Sequence, residues 1–143
     1  MCDFGLVRYL EEPADQEFAI MTDYIATRWY RAPELLLGCK DYSKEVDIWA
    51  LGCLVGELFK GKALFPGNST INQLEKVLVW TGAPSSTEIK SLGVTVNKMM
   101  LDLLNTRKKS NRHDFFSSRI SSSCMDFISK MLEFDPLKRP TIE

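Results

Sequence analysis

Thr22-Asp23-Tyr24-Ile25-Ala26-Thr27-Arg28-Trp29-Tyr30-Arg31-Ala32-Pro33-Glu34 places two phosphorylatable hydroxyls, Thr22 and Tyr24, ahead of two arginines and a closing Pro-Glu. Its apolar residues follow neither the period of a helix nor the alternation of a strand. The stretch therefore predicts a structured loop, and such loops carry function more often than the elements they join. A phosphate on Thr22 or Tyr24 would add nearly two negative charges and three acceptor oxygens, which an arginine fork meets with paired hydrogen bonds. The plainer reading is three polar residues followed by a solvated basic face.

Outward from this loop the chain reads as helices. Pro33 fixes φ at the head of a short helix, Glu34-Leu35-Leu36-Leu37, and Gly38 ends it as a C-cap. Ser43 suits the N-cap of a helix over 44–60, with Glu45 and Asp47 in the first turn, where the helix dipole favours negative charge. Its middle (Ile48, Trp49, Ala50, Leu51, Cys53, Leu54, Val55) is apolar nearly all round, which predicts a central buried helix within 43–61, closed by Gly61. A Phe65-Pro66-Gly67-Asn68 turn leads to a capping box, Thr70 with Gln73. The amphipathic helix that follows carries Ile71, Leu74, Val77 and Leu78, and Gly82 and Pro84 stop it. Further on, Val96, Met99, Met100, Leu103 and Leu104 give a helical stripe, and 106–112 reads as a basic surface loop. Serines 121–123 offer caps for a last full helix over 121–133, with Cys124, Ile128, Met131 and Leu132 inward. Asp135-Pro136 terminates it and Thr141 starts another. Upstream, residues 6–9 suit a short strand and 11–16 an acidic exposed loop, so the whole is mostly helical with at most one hairpin-like piece.

The 143 residues fit one domain, and 45% hydrophobic with 26% charged residues describes an ordinary globular chain. A net charge of -1 argues against nucleic acid and anionic membrane as partners. The longest apolar run, 48–56, is nine residues, against the ~20 that a membrane span requires. Asp3 and Arg8 interrupt any signal-peptide core. Cys2, Cys39, Cys53 and Cys124 lack metal or redox spacing and read as reduced thiols of a cytoplasmic or nuclear protein. His113 stands without ligand partners nearby and reads as structural or exposed.

Asp3-Phe4-Gly5 is weak by itself, but Ala32-Pro33-Glu34 begins 29 positions after Asp3, and Asp47-Ile48-Trp49 and Arg139 follow. That order closely resembles the second half of a protein kinase domain, with 1–34 as its activation segment. Thr22-Asp23-Tyr24 resembles the dual phosphorylation site of mitogen-activated protein (MAP) kinases, where the middle residue is commonly Glu. Gly67-Asn68-Ser69-Thr70 with Gln73-Leu74-Glu75 leans toward the atypical extracellular-signal-regulated branch.

The resemblance implies a mainly α fold: the helical C-terminal lobe of a kinase, without the N-terminal lobe, the strand lysine, the Gly-rich loop or the His-Arg-Asp catalytic loop. It makes Asp3 the ligand of Mg²⁺ and hence of ATP, where a metal offsets charge during phosphoryl transfer. Arg8 would hold phospho-Thr22, and Arg28 and Arg31 phospho-Tyr24, ordering the loop as the enzyme switches on. Thr27 would position the catalytic Asp, and Ala26 to Trp29 would shape the pocket for the residue after the target Ser or Thr. Proline has no N–H to strand in that pocket, so Ser-Pro and Thr-Pro sites are the expected substrates.

By the same resemblance Glu34 and Arg139 would form a buried ion pair, and Asp47 would fix the catalytic-loop backbone. Residues 84–116 match the insert shared by MAP, cyclin-dependent and glycogen-synthase kinases, and Arg107-Lys108-Lys109 there is either an acidic-partner contact or a solvated face. Upstream dual-specificity MAP kinase kinases and phosphatases are the expected protein partners. With Asp3 alone of the ATP machinery, these 143 residues by themselves are expected to be inactive. Two readings stay open: a fragment of a catalytic, proline-directed Ser/Thr kinase, or a noncatalytic short product that acts as a decoy for upstream kinases. A cyclin-dependent or glycogen-synthase type kinase is the alternative within the first class.

Overall fold

The computed structural model describes residues 28–96, 98–106, 109–116 and 120–141. The predicted strand at 6–9, the acidic loop, residues 107–108 of the basic run and the helix expected beyond Thr141 lie outside these residues. Among the described residues six α-helices follow a 3-10 turn at Arg28–Tyr30: α1 (Pro33–Leu36), α2 (Glu45–Lys60), α3 (Thr70–Thr81), α4 (Ser86–Ser91), α5 (Lys98–Thr106) and α6 (Ser122–Met131). Further 3-10 turns lie at Arg112–Phe115 and Pro136–Lys138, and there is no strand among the described residues. The fold is the helical one that the sequence predicts.

Helix α1 starts where Ala32 is extended (ψ 153°) and Pro33 takes the first helical position, where a missing N–H costs nothing. It ends in a Schellman motif: Gly38 sits at φ 79°, its N–H bonds the Leu35 carbonyl, and the Cys39 N–H bonds the Glu34 carbonyl.

Helix α2 is the hub. One stripe, Ile48, Trp49, Gly52, Cys53 and Gly56, is buried. The absence of side chains at Gly52 and Gly56 lets neighbours approach: a Cβ on Gly52 would lie 2.9 Å from both Met131 Cβ and Leu132 Cδ2, and one on Gly56 would run into Leu64. Helix α6 thus rests directly on α2, adding Met125, Ile128, Met131 and Leu132 to the core. Helix α3 contributes Leu74, Val77, Leu78 and Trp80.

Between α2 and α3 lies an aromatic cluster. Phe65 stacks on Trp49 (centroids 6.0 Å) and meets Trp80 and Phe115 edge-on at 6.3 and 6.2 Å, while Trp80 meets Phe115 at 5.0 Å. Each such pair adds about 0.5–1.5 kcal/mol beyond its burial.

Several expectations need correction. Ser43 is not the N-cap of α2: Lys44 holds that position without a side-chain cap, and the start is tightened by a Val46 N–H bond to the Ser43 carbonyl. Nor is α2 buried all round among the described residues, because Leu51, Leu54 and Leu58 are 47%, 50% and 83% exposed. The cap of α3 is Ser69, whose hydroxyl accepts from the Asn72 N–H, and Gln73 takes no part in a capping box. The last full helix stops at Met131 rather than 133, with Asp135 capping the next 3-10 turn instead. Cys124 is only half-buried and Met99 is exposed. Arg112, expected in a surface loop, is half-buried: it stacks over Trp80 at 5.2 Å and pairs with Glu133 at 3.6 Å. Helix α4 opens on a capping box, Ser85 with Glu88, that the sequence reading did not pick out.

Candidate functional site

Residues 28–34 run across the helical core and are held at both ends. At the far end, α1 carries Glu34 into the interior, where it is 2% exposed. Arg139 arrives from the Pro136–Lys138 turn, which Asp135 caps by accepting from the Leu137 N–H. The two meet as a fork: Nη1 donates to Oε1 and Nη2 to Oε2, each at 2.7 Å. The remaining guanidinium hydrogens go to the carbonyls of Glu45 (2.9 Å), Phe134 (3.2 Å) and, from Nε, Glu133 (2.9 Å). All five donors of an arginine are thereby satisfied, which is what permits its burial. Its plane also lies 5.2 Å from the Trp49 ring. One side chain thus ties α1, the head of α2 and the chain after α6 together.

At the near end, Trp29 donates its indole N–H to the Gly67 carbonyl at 3.0 Å. Gln73, fully buried on α3, accepts the Gly67 N–H at 2.9 Å and donates to the Trp29 carbonyl at 3.2 Å. Arg28 Nη1 reaches the Asn68 carbonyl at 3.5 Å, while its Nε is buried with no hydrogen-bond partner among the described residues. Next in the chain, the Tyr30 hydroxyl donates to Glu57 Oε2 at 2.6 Å. That hydrogen bond, with burial and the Glu57 charge after it, pushes the Tyr30 phenol from 10.0 to about 12. The sequence reading put Gln73 in a capping box with Thr70 rather than in this contact, and it did not single out Glu57.

Of the other expected site residues, Arg31 is half-buried and Asp47 is exposed in the first turn of α2. Asp3, Arg8, Thr22, Tyr24 and Thr27 lie outside the described residues. His113 is exposed, and Cys39, Cys53 and Cys124 are free thiols. Burial pushes the Cys53 and Cys39 thiols up, so both stay protonated, and the Cys39 thiol lies 3.2 Å from the Leu92 carbonyl. Among the described residues no three His, Cys, Asp or Glu side chains converge on a metal position, and no helix is long and apolar enough to cross a membrane.

The protein kinase domain model matches residues 1–143, the whole chain. The chain belongs to the protein kinase family. MAP kinases are among its relatives there. It is 42% identical to extracellular signal-regulated kinase 2 of Dictyostelium discoideum, over all of this chain and 39% of that protein. It is 40% identical to mitogen-activated protein kinase 15 of Xenopus laevis, over all of this chain and 25% of that protein. A MAP kinase structure from Leishmania major superposes with a TM-score of 0.70 at 33% identity, covering 82% of this chain and 38% of that one. The chain thus spans well under half the length of these relatives, and the helical fold described above is that of the kinase C-terminal lobe.

Proposed function

We propose that this chain forms the helical lobe of a proline-directed serine/threonine kinase, which transfers the γ-phosphate of ATP to Ser-Pro and Thr-Pro sites. The observation that carries the reading is the double anchoring of residues 28–34. Trp29 is held by Gly67 and Gln73, and Glu34 by Arg139, at opposite ends of the stretch that closes the activation segment. A loop fixed this way can present a substrate pocket at one end and answer to phosphorylation just before it. Phosphorylation of Thr22 and Tyr24 is the switch in this reading, with Arg8 holding the first phosphate and Arg28 and Arg31 the second.

Asp3 would hold Mg²⁺ with ATP, Thr27 would position the catalytic Asp, and Asp47 would fix the loop that carries it. In this reading upstream MAP kinase kinases and phosphatases are protein partners of the kinase, and the 84–116 insert is a candidate surface for binding partners. Three free thiols among the described residues suit the reducing cytoplasm and nucleus. Gly67-Asn68-Ser69-Thr70 with Gln73-Leu74-Glu75 leans this reading toward the atypical extracellular-signal-regulated branch.

The test begins with the native polypeptide, detected by an antibody to residues 105–118. A band roughly twice this length or more is expected, since a kinase domain requires both lobes. That protein, with Mg-ATP, should phosphorylate a Ser-Pro peptide, and Thr22→Ala with Tyr24→Phe should abolish most of the activity. Undiminished activity in the double variant would remove the switch. A band at the present length would withdraw the catalytic reading in favour of binding to an upstream kinase.

A further inference from the structure

The chain has three tryptophans, and they are treated differently. Trp49 and Trp80 are fully buried, and neither indole N–H has a hydrogen-bond partner among the described residues. Trp29 is 40% exposed, yet its carbonyl and its indole N–H are both hydrogen-bonded. Packing energy is what the first two supply; the third is oriented rather than buried.

What orients it is a closed circuit through three segments. The Trp29 indole donates to the Gly67 carbonyl, the Gly67 N–H donates to Gln73 Oε1, and Gln73 Nε2 donates back to the Trp29 carbonyl. The two partners fix which end of the amide is which, since an N–H needs the oxygen and a carbonyl needs the nitrogen. Gly67 is required for closure, because a Cβ there would lie 2.5 Å from Gln73 Cα and closer still to its Oε1. Gln73 is fully buried on a face it shares with Leu74 and Val77, so loss of its amide would leave a buried N–H and a carbonyl without partners.

We infer that Gln73 is a positioning residue: through this circuit it holds Trp29 as a wall of the pocket for the residue after the phosphorylated Ser or Thr, and so sets the selectivity for proline. The inference rests on the proline-directed reading proposed above. Gln73 itself touches no substrate.

The test uses the full-length kinase, phosphorylated at Thr22 and Tyr24, with Ser-Pro and Ser-Ala peptides. Gln73→Met keeps the volume and removes both amide bonds. It should raise KM for the Ser-Pro peptide about tenfold. Its kcat should stay within about twofold with KM for ATP unchanged. The ratio of kcat/KM between Ser-Pro and Ser-Ala should fall accordingly. Trp29→Phe retains a ring and removes only the indole bond, and should move the same ratio in the same direction by less. If Gln73→Met fails to fold, Trp29→Phe decides by that ratio. An unchanged ratio, or equal losses on both peptides, would reduce Gln73 to a support of the fold and overturn the inference while leaving the proline-directed reading intact. A wild-type enzyme without preference for Ser-Pro would remove that reading, and the inference with it.

Discussion

Glu34 and Arg139 stand 105 positions apart and meet through two parallel 2.7 Å hydrogen bonds in the interior. Removing either charge strands the other where water cannot reach it. Glu34→Ala and Arg139→Ala should each lower stability by about 3–5 kcal/mol, read from urea melts of the full-length protein. Glu34→Leu combined with Arg139→Met should cost less than the two single truncations together. It should still cost something, because the carbonyls of Glu45, Glu133 and Phe134 lose their donor as well. A double variant as unstable as the sum would mean that the pair does not act as a unit.

Gly52 and Gly56 lie one turn apart on α2 and should respond differently to alanine. At Gly52 the new methyl meets Met131 Cβ, an atom that moves only if the α6 backbone moves. Gly52→Ala should therefore destabilise by about 1–3 kcal/mol through overpacking. At Gly56 the close atoms belong to the Leu64 side chain, which can turn aside, and alanine recovers about 1 kcal/mol of helix propensity. Gly56→Ala should lie closer to neutral, and thermal melts that rank the two the other way would contradict this packing.

The helix ends at Gly61 and Gly82 were legible in the sequence because φ values of 74° and 82° are a local demand that glycine meets at least cost. The start of α3 was not. Ser69 and Thr70 both offer a hydroxyl, and Gln73, which seemed to choose Thr70, has its amide committed to Gly67 and to Trp29, the latter 44 positions away. The inner stripe of α2 was legible as apolar, but composition alone gave no sign that Leu51, Leu54 and Leu58 would be left uncovered by the described residues. The Glu34–Arg139 pair could be expected only through the family resemblance. The Trp29 circuit could not be expected at all, since hydrogen bonds between distant segments leave no periodicity.

Ser85 and Glu88 form the box that opens α4, and Lys138 reaches Glu88 Oε1 at 2.6 Å from the far end of the chain. Ser85→Ala should cost about 1 kcal/mol. The Lys138 hydrogen bond, aided by the Ser85 N–H, holds the Glu88 carboxyl below its usual 4.5. A depressed folded-state value makes its contribution full above 4.5 and lost as pH falls through the lower value. The stability difference between wild type and Glu88→Gln should thus be constant near neutrality and shrink only in acid. A difference already falling between pH 7 and pH 5, in urea melts at closely spaced pH, would contradict the assignment.

Tyr30 gives the opposite sign. Its phenol donates to Glu57, so ionising it would both remove the donor and set two negative charges 2.6 Å apart. The folded-state value of about 12 lies above the ordinary 10.0. The contribution is therefore fully present below pH 10, where both states are protonated, and is lost as pH rises from 10.0 toward about 12. Tyr30→Phe should cost about 1.5–3 kcal/mol at pH 7, where a charge-assisted hydrogen bond disappears. That cost should hold to pH 10 and then vanish, while Glu57→Gln should leave the Tyr30 phenol nearer its ordinary value and flatten the alkaline limb. Ultraviolet titration of tyrosinate in wild type and in Glu57→Gln measures the shift directly, and identical curves would show that Glu57 does not set it.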